Sequence, residues 1–344
     1  MTQTTTQATP PAPAQPIAPL TLQHDVIPVL DLGAWRAGVP GAAQRLAEEL
    51  RWASETIGFY FIVNHGIAQA QIDAVFEQAR RFHALPLDEK LTLRINKHQI
   101  GYLPMGGVIY KTSAVNRNTK SDLNEAIFIR RERAPDDPDV IAGVPWRGLN
   151  QWPPHLPGFR ETVIAYQNTI EALALDMLAL YDRALDMPAG FFRARFANAH
   201  INLRLSHYPP NLQAEDNQFG IAPHTDSGFM TFLPQSAVPG LEIGLPGGTW
   251  LAVPPMPGTY LVNTGDILNR WTNGRFLSTP HRANNRSDCD RYAAPFFFDP
   301  NTDTMIECLP SCQGPGNPPR FPAQTFGDYY AWWVRTNYPH QRES

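Results

Sequence analysis

Two histidines and an aspartate in the second half of the chain could together bind a metal ion. His224 and Asp226 stand two positions apart in Pro223-His-Thr-Asp226, and His281 follows in Thr279-Pro-His281. On a β-strand, residues i and i+2 point to the same face, so His224 and Asp226 could both bind the same metal ion. Two histidines and one carboxylate leave positions open for O₂ and a chelating cosubstrate on a non-haem Fe(II). An H-x-D pair alone is weak, since Ser227 beside it also resembles a hydrolase triad in scrambled order.

A further chemical group is Arg291, which stands ten residues after His281 at the start of a predicted strand. A guanidinium in an apolar strand needs an anionic partner, because burying an unpaired charge is costly. A dicarboxylate ligand could provide that partner through a bidentate pair. Pairing with an Asp or Glu of the protein is the alternative that this residue alone leaves open.

The elements that must position these groups differ between the two halves of the chain. Residues 27–32 and 59–63 predict strands, and apolar spacings of three or four predict helices over 43–57 and 72–82. A longer apolar stripe over 159–180 predicts one long helix of about six turns. Residues 101–157 are polar and rich in Pro and Gly, which predicts a long loop, either a lid or a surface excursion.

From residue 199 onward the pattern changes to short strands separated by turns. Ile201, Leu203 and Leu205 alternate with polar residues, as in a half-buried strand. Further strands are predicted at 230–233, 241–245, 250–253, 260–263 and 292–298. Many short strands imply a sandwich or barrel. The predicted fold class is therefore α+β, with N-terminal helices, one long helix and a β-rich second half.

Composition narrows the function classes. The 344 residues include 34 prolines, which argue against a mostly helical protein, and carry a net charge of −4. With no basic run, nucleic acid is a poor partner, and no apolar stretch is long enough to predict a membrane span. Three cysteines are too few for a disulfide framework, which favours a cytoplasmic protein with free thiols; a small metal site at Cys308 and Cys312 is the alternative.

Several motifs together resemble one known family. They are Ile27-Pro-Val-Leu-Asp-Leu32, Gly58-Phe-Tyr-Phe-Ile-Val-Asn-His-Gly66, Leu123-Asn-Glu125, Asn150-Gln-Trp-Pro153, Leu205-Ser-His-Tyr-Pro209, Pro223-His-Thr-Asp-Ser-Gly228, Val262-Asn-Thr-Gly-Asp266, Thr272-Asn-Gly274, Ser278-Thr-Pro-His-Arg282 and Arg291. The chain thus resembles the isopenicillin N synthase branch of the 2-oxoglutarate/Fe(II) dioxygenases, with some likeness to the bacterial ethylene-forming enzyme.

The resemblance implies a distorted double-stranded β-helix, or jelly roll, wrapped by helices. It implies one catalytic domain over 26–335, with a helical part at 26–198, the jelly roll and iron site at 199–300 and a C-terminal segment at 301–335. We expect a disordered tail at 1–25 and a second tail at 336–344. Asn263, Gly265 and Asp266 match a turn that we interpret as structural.

The resemblance also assigns the site. It implies Fe(II) on His224, Asp226 and His281, with Arg291 and Tyr208 binding the cosubstrate 2-oxoglutarate, and O₂ as second cosubstrate. The implied reaction couples decarboxylation of 2-oxoglutarate to succinate with hydroxylation, desaturation or cyclisation of a small organic substrate. We expect the substrate pocket to involve Tyr102, Phe297 and the 101–120 loop. No oligomeric state is predicted.

Position 293 departs from the family pattern. The family usually has Arg-x-Ser, whereas this chain has Arg291-Tyr-Ala293. A hydroxyl bond to a charged group contributes up to about 3 kcal/mol, so its loss would weaken cosubstrate binding without abolishing it. The ethylene-forming enzyme also has Ala here, which keeps ethylene formation from 2-oxoglutarate and arginine as an alternative. A 2-oxoglutarate-independent oxidase and a non-catalytic jelly-roll binding protein are two further hypotheses.

Five further histidines, at positions 65, 83, 155, 200 and 207, lack paired ligand spacing and are interpreted as structural or surface residues.

Overall fold

The computed structural model describes residues 26–212, 215–245 and 247–338. The tail predicted at 1–25 lies outside the described residues. The helices of the described chain are α1 (Gly33–Arg36), α2 (Ala42–Thr56), α3 (Gln69–His83), α4 (Leu87–Leu91), α5 (Pro138–Ile141), α6 (Phe159–Ala184), α7 (Phe191–Arg195), α8 (Asp266–Trp271) and α9 (Phe326–Asn337).

The strands are short, as the turn-rich second half predicts. They are β1 (Val29–Asp31), β2 (Phe59–Val63), β3 (Gly101–Leu103), β4 (Glu125–Arg130), β5 (His200–Tyr208), β6 (Ile221–His224), β7 (Met230–Pro234), β8 (Leu241–Gly244), β9 (Trp250–Ala252), β10 (Tyr260–Thr264), β11 (His281–Ala283), β12 (Arg291–Ala293), β13 (Phe296–Asp299), β14 (Met305–Ile306) and β15 (Gln324–Thr325).

Two sheets form the β core. The larger has the order β1-β2-β10-β7-β13-β5-β4-β3, with β12 also paired to β5, and the smaller has the order β6-β11-β8-β9. The α+β class with a jelly-roll core is confirmed. Strands far apart in sequence are neighbours in both sheets, so the pairing places β6 beside β11 and β5 beside β12, the four strands that carry or lead into the predicted site residues.

The long helix is confirmed as α6, which spans Phe159–Ala184. Its apolar stripe is buried, as at Val163, Tyr166 and Ile170, because side chains three and four apart share one face. The Tyr181 hydroxyl lies 2.8 Å from that of Tyr60 on β2, so the helix and the large sheet also share a buried hydrogen bond.

The loop predicted over 101–157 is wrong in part, because the segment contains β3 and β4. All six residues of Glu125–Arg130 are buried. A strand covered on both faces shows no polar alternation, so the pattern that would reveal it is absent from the sequence. The strand predicted over 292–298 is also two strands, β12 and β13. The break falls at Pro295, which has no N–H to donate to a ladder.

The predicted C-terminal boundary at 335 is too early. Helix α9 continues to Asn337, whose side chain is fully buried, and Tyr338 is 3% exposed. The Asn337 carbonyl accepts the N–H of Ile109 at 3.2 Å, which ties the end of α9 to the segment between β3 and β4. Among the described residues, no helix combines the length and apolar character needed to cross a membrane.

Candidate active site

His224, Asp226 and His281 converge at one point. Strands β6 and β11 pair with His224 directly opposite His281, and their ring centroids lie 4.4 Å apart. The Nε2 atoms of His224 and His281 lie 3.8 and 3.7 Å from Oδ1 of Asp226. The three ligand atoms are thus close enough together to hold one metal ion.

The backbone route to Asp226 differs from the expected strand. Strand β6 ends at His224, so Asp226 lies beyond the strand and the i, i+2 rule for one face does not apply to it. An irregular segment after the strand brings the carboxylate back to the histidines instead. This segment is held by the Asp226 carbonyl, which accepts the backbone N–H of Asp266 at 2.8 Å.

Hydrogen bonds orient both histidines. Nδ1 of His224 lies 2.8 Å from the Ala222 carbonyl and Nδ1 of His281 lies 3.2 Å from the Thr279 carbonyl. Because carbonyls only accept, each Nδ1 carries the proton and each Nε2 keeps a lone pair for a metal.

The second carboxylate oxygen of Asp226 is also committed. Its Oδ2 accepts hydrogen bonds from the Thr231 hydroxyl and the Asn263 amide, both at 2.7 Å. Oδ1 is therefore left toward the two imidazoles. Asn263, interpreted from sequence as part of a structural turn, thus contacts a predicted metal ligand directly.

The electrostatics also suit a divalent cation. Burial and the neighbouring His281 lower the pKa of His224 to about 3, so its ring is neutral. Burial acts to raise the pKa of Asp226, but His281, His224 and its hydrogen bonds lower it overall, so the group is ionised. Two imidazoles and one carboxylate, with Tyr110 stacked 4.2 Å over His224, form a compact donor set.

Arg291 and Tyr208 face each other across β12 and β5. The guanidinium lies 4.9 Å above the Tyr208 ring, and its Nε and Nη1 atoms are buried without a hydrogen-bond partner. Burial lowers the pKa of Arg291. Within the described residues no carboxylate of the protein forms an ion pair with it, so no Asp or Glu in this part of the chain is its partner. The unpaired donors fit the distal carboxylate of 2-oxoglutarate.

Ala293 lies on the same strand face as Arg291 and opposite Ser206 of β5. The Ser206 hydroxyl is fully buried and has no hydrogen-bond partner within the described chain. The Ser206 hydroxyl thus lies on the strand directly opposite position 293, where the family usually has a serine.

The triad, Arg291 and Tyr208 line one cavity, which we call the triad cavity. Phe297 and Tyr110, the latter from the 101–120 loop, line it as expected. Tyr102 does not: it is buried, and its hydroxyl donates a hydrogen bond to Glu125. Arg204 also lines the cavity, although the sequence interpretation gives it no role. Its signal is present in the sequence, since it is one of the polar positions that alternate along β5.

A second cluster gathers His83, His207 and Glu125, which sequence spacing does not connect. His207 Nδ1 lies 2.8 Å from Glu125 Oε1, and the Lys90 ammonium donates to Oε2 at 2.8 Å. Because Lys90 already supplies a cation, this cluster is a buried ionic network that links α3, α4, β4 and β5 rather than an open metal site.

Two protein-family models match the chain. Residues 27–155 match "non-haem dioxygenase in morphine synthesis N-terminal", and residues 198–300 match "2OG-Fe(II) oxygenase superfamily". A 2-oxoglutarate-Fe(II) type oxidoreductase, hxnY of Emericella nidulans, is 36% identical over 88% of this chain and 87% of its own. The chain belongs to the 2OG-Fe(II) oxygenase superfamily. Kihadalactone A synthase of Citrus sinensis is 32% identical over 90% and 93% of the two chains.

Solved structures of 2OG-Fe(II) oxygenases share the fold. A full-length Neurospora crassa protein, in complex with alpha-KG and thymine, matches with a TM-score of 0.79 at 24% identity, over 92% of this chain and 98% of its own. A 2OG-Fe(II) oxygenase family protein from Caulobacter crescentus matches with a TM-score of 0.77 at 28% identity, over 90% and 99%. Together with the family matches, these findings make the protein an enzyme, a 2-oxoglutarate-dependent dioxygenase that requires Fe(II), 2-oxoglutarate and O₂.

Proposed function

We propose that His224, Asp226 and His281 hold the Fe(II) of this oxygenase, and that Arg291 and Tyr208 hold the distal carboxylate of 2-oxoglutarate. One observation carries the assignment. Two imidazole Nε2 atoms and one carboxylate oxygen meet in a cavity that also contains a buried arginine with unpaired donors.

In this assignment, bound Fe(II) supplies the activation of O₂ that is coupled to decarboxylation of 2-oxoglutarate to succinate and CO₂. The protein supplies orientation. The Ala222 and Thr279 carbonyls hold the imidazole tautomers, and Thr231 and Asn263 hold the carboxylate. Tyr110, stacked on His224, and Phe59, edge-on to His281 at 5.5 Å, keep water from the ligand side chains.

The substrate in this proposal is a small organic molecule that is hydroxylated, desaturated or cyclised. The triad cavity has apolar side chains such as Phe59, Leu241 and Phe297 beside the proposed ligands, which favours a small organic molecule. The JOX2 neighbour, 26% identical with a TM-score of 0.73, was crystallised with 2OG, Fe and JA, which supports a small-molecule substrate here as well.

Ethylene formation is the second candidate, and Ala293 beside Arg291 is the observation that favours it. It would place this chain near the bacterial ethylene-forming enzyme within the isopenicillin N synthase branch. Headspace gas analysis with Fe(II), 2-oxoglutarate and arginine tests it, and ethylene at the background level rejects it.

An anaerobic preparation with Fe(II) and 2-oxoglutarate, exposed to O₂ and screened against small organic compounds, tests the main proposal. We expect succinate formation that requires Fe(II) and rises with a compound that is oxidised in equal amount. Oxidation of a compound at the same rate without 2-oxoglutarate would instead support the isopenicillin N synthase type of oxidase.

The proposed location is the cytoplasm. All three cysteines are free thiols, including Cys289, which is exposed, and free exposed thiols are typical of reducing compartments. Fractionation of cells that produce the natural chain tests this location.

A further inference from the structure

Strand β12, which carries Arg291, is short and is paired along one edge. Its three residues, Arg291–Ala293, pair with β5 alone among the described strands. On the cavity side, Nε and Nη1 of Arg291 are buried without a hydrogen-bond partner in the described structure. The position of this guanidinium therefore depends largely on what holds the backbone of β12 against β5.

His207 holds β12 from the opposite face of the sheet, because successive residues of a strand alternate between its faces. It lies directly across from Tyr292 in the β5–β12 pair, and the two rings stack with centroids 5.1 Å apart. Its Nδ1 lies 2.8 Å from Oε1 of Glu125 on β4, and its Nε2 lies 2.8 Å from Oδ1 of Asp290, the residue before Arg291. One imidazole thus joins β4, β5 and the start of β12.

This arrangement requires His207 to be protonated. An ionised carboxylate only accepts hydrogen bonds, so an imidazole between two carboxylates must donate from both ring nitrogens, as only the imidazolium can. The neutral ring would turn a lone pair toward Glu125 or toward Asp290. Burial acts to lower the pKa of His207, but its bonds to Glu125 and Asp290 raise the pKa overall above its usual 6.5.

The surroundings of the two carboxylates decide which bond is lost when the proton leaves. Glu125 is buried, whereas the Asp290 side chain is 50% exposed and can turn to solvent. The remaining ring proton should therefore stay on Nδ1, facing Glu125, and the bond from Nε2 to Asp290 is lost. The other titratable groups that lie around the two carboxylates are Glu77, Arg80 and His83 of α3, Lys90 of α4, Tyr102 of β3 and Tyr292 of β12.

We propose that protonated His207 is a positioning residue for cosubstrate binding, which through Asp290 holds β12 so that Arg291 faces the distal carboxylate of 2-oxoglutarate. This inference rests on the proposed function, because the position of β12 matters only if Arg291 binds 2-oxoglutarate. A bond that needs the proton is complete below the pKa of His207 and is lost as pH rises through it. The affinity for 2-oxoglutarate should fall over the same range.

The test is the pH dependence of 2-oxoglutarate binding by the anaerobic Fe(II) enzyme, measured by titration calorimetry from about pH 6 to about pH 9. Both carboxyls of 2-oxoglutarate are ionised throughout this range, so the charge of the ligand does not change. An ion pair with one exposed member predicts a loss of affinity of about two- to fivefold as pH rises. An affinity that stays constant or increases overturns the inference.

Asp290→Asn separates this bond from other effects of pH. An amide can accept a bond from the imidazolium or, when turned over, donate one to the neutral imidazole, so this variant does not need the proton. We expect it to lose the fall in affinity at high pH. Asp288→Asn, which removes the same charge from an exposed residue two positions earlier, is the matched control and should keep the fall in full. A fall of equal size in the wild type and in Asp290→Asn contradicts the proposal.

Replacement of His207 itself gives a second readout. His207→Phe keeps a ring that can stack on Tyr292 but removes both hydrogen bonds, so a folded variant should bind 2-oxoglutarate about two- to fivefold more weakly at low pH. Linkage is reciprocal, so 2-oxoglutarate binding near the pKa of His207 should take up protons in the wild type and fewer in His207→Phe. Calorimetry in two buffers of different protonation enthalpy measures this uptake, and equal uptake by both proteins refutes the role of His207.

Arg291→Gln distinguishes this inference from the proposed function. If Arg291→Gln weakens 2-oxoglutarate binding but the wild type shows no fall in affinity with pH, only the role of His207 fails. If Arg291→Gln binds 2-oxoglutarate as tightly as the wild type, the assignment of Arg291 fails first.

Discussion

Hydrogen bonds hold each of the three proposed metal ligands by an atom that points away from the place where the three side chains meet. Each histidine has one ring nitrogen bonded to a backbone carbonyl, and Asp226 has one oxygen bonded to Thr231 and Asn263. In the described structure, Nε2 of each histidine and Oδ1 of Asp226 face one another and are left free for a metal ion. Arg291 follows the opposite principle: its Nε and Nη1 donors are buried and unpaired in the described structure, so a ligand can satisfy them. Orientation of the metal ligands and affinity for the cosubstrate are thus separate properties of separate residues.

Replacement of Arg291 tests the cosubstrate assignment. We expect Arg291→Gln to raise the KM for 2-oxoglutarate by about 10- to 100-fold, because one charge-assisted pair contributes about 1.5–3 kcal/mol. Steady-state succinate formation measures this. Arg160→Gln, at an exposed pair with Glu132, is the control and should leave the KM unchanged. An unchanged KM in Arg291→Gln would refute the role of this arginine.

A substitution at position 293 should lower the KM for 2-oxoglutarate instead of raising it. Ala293→Ser adds a hydroxyl on the face that carries Arg291, so we expect a severalfold lower KM for 2-oxoglutarate. Ser206→Ala removes the unpartnered hydroxyl across the strand pair, and we expect it to raise the KM in the wild-type background. If neither substitution moves the KM, hydroxyls at this strand pair do not contact the cosubstrate.

At the scale of elements, the network around Glu125 joins the helical part to the barrel. Lys90 of α4 and Glu125 of β4 form a buried ion pair, and His207 of β5 bonds the same carboxylate. Burial acts to raise the pKa of Glu125, but hydrogen bonds from His207, His83, Lys90 and Tyr102 lower it well below its usual 4.5. A carboxyl whose pKa is depressed on folding stabilises the fold above its unfolded pKa.

Glu125→Gln should therefore destabilise the protein by about 3–5 kcal/mol near pH 7, since it leaves Lys90 buried without its anion. In the wild type, we expect the free energy of unfolding to fall as pH drops below about 4.5, and Glu125→Gln should weaken that dependence. Urea unfolding across pH 3–7 measures both effects. Glu77→Gln, at an exposed pair with Arg80, should change stability by less than about 1 kcal/mol.

A helix or strand can be predicted from sequence when one of its faces is exposed to solvent, or when turn residues mark its two ends. Helix α6 has one apolar stripe, and the sequence predicts it almost to its ends. Strand β4 is buried throughout and shows no alternation, so the sequence does not reveal it. The triad can be found from residue types and motifs, whereas the Glu125 network requires the strand register, which brings distant residues such as Glu125 and His207 together.

At the scale of the whole molecule, the helical part and the barrel share a sheet. Strands β1 and β2, from the first 63 residues, extend the large sheet through antiparallel pairing of β2 with β10. Helix α9 returns to pack beside β4, since the Tyr330 hydroxyl accepts a hydrogen bond from Arg130 at 2.7 Å. The N-terminal strands and the C-terminal helix are therefore both attached to the β core that holds the site.

This continuity predicts one cooperative unfolding transition for the catalytic domain. Differential scanning calorimetry should give a single peak whose calorimetric and van't Hoff enthalpies agree. Leu30→Ala on β1, at 1% exposure, should move that peak to lower temperature without splitting it. Two separable transitions would show that the N-terminal part folds independently of the barrel.

The account depends most directly on the three proposed iron ligands. The decisive measurement is Fe(II) bound per chain, determined anaerobically together with succinate formed after O₂ is admitted, for the wild type and for His224→Ala. His155→Ala, at an exposed histidine far from the triad in sequence, is the matched control. We expect about one Fe(II) per chain and Fe(II)-dependent succinate in the wild type and in His155→Ala, and loss of both in His224→Ala. Full succinate formation by a folded His224→Ala protein would contradict the account.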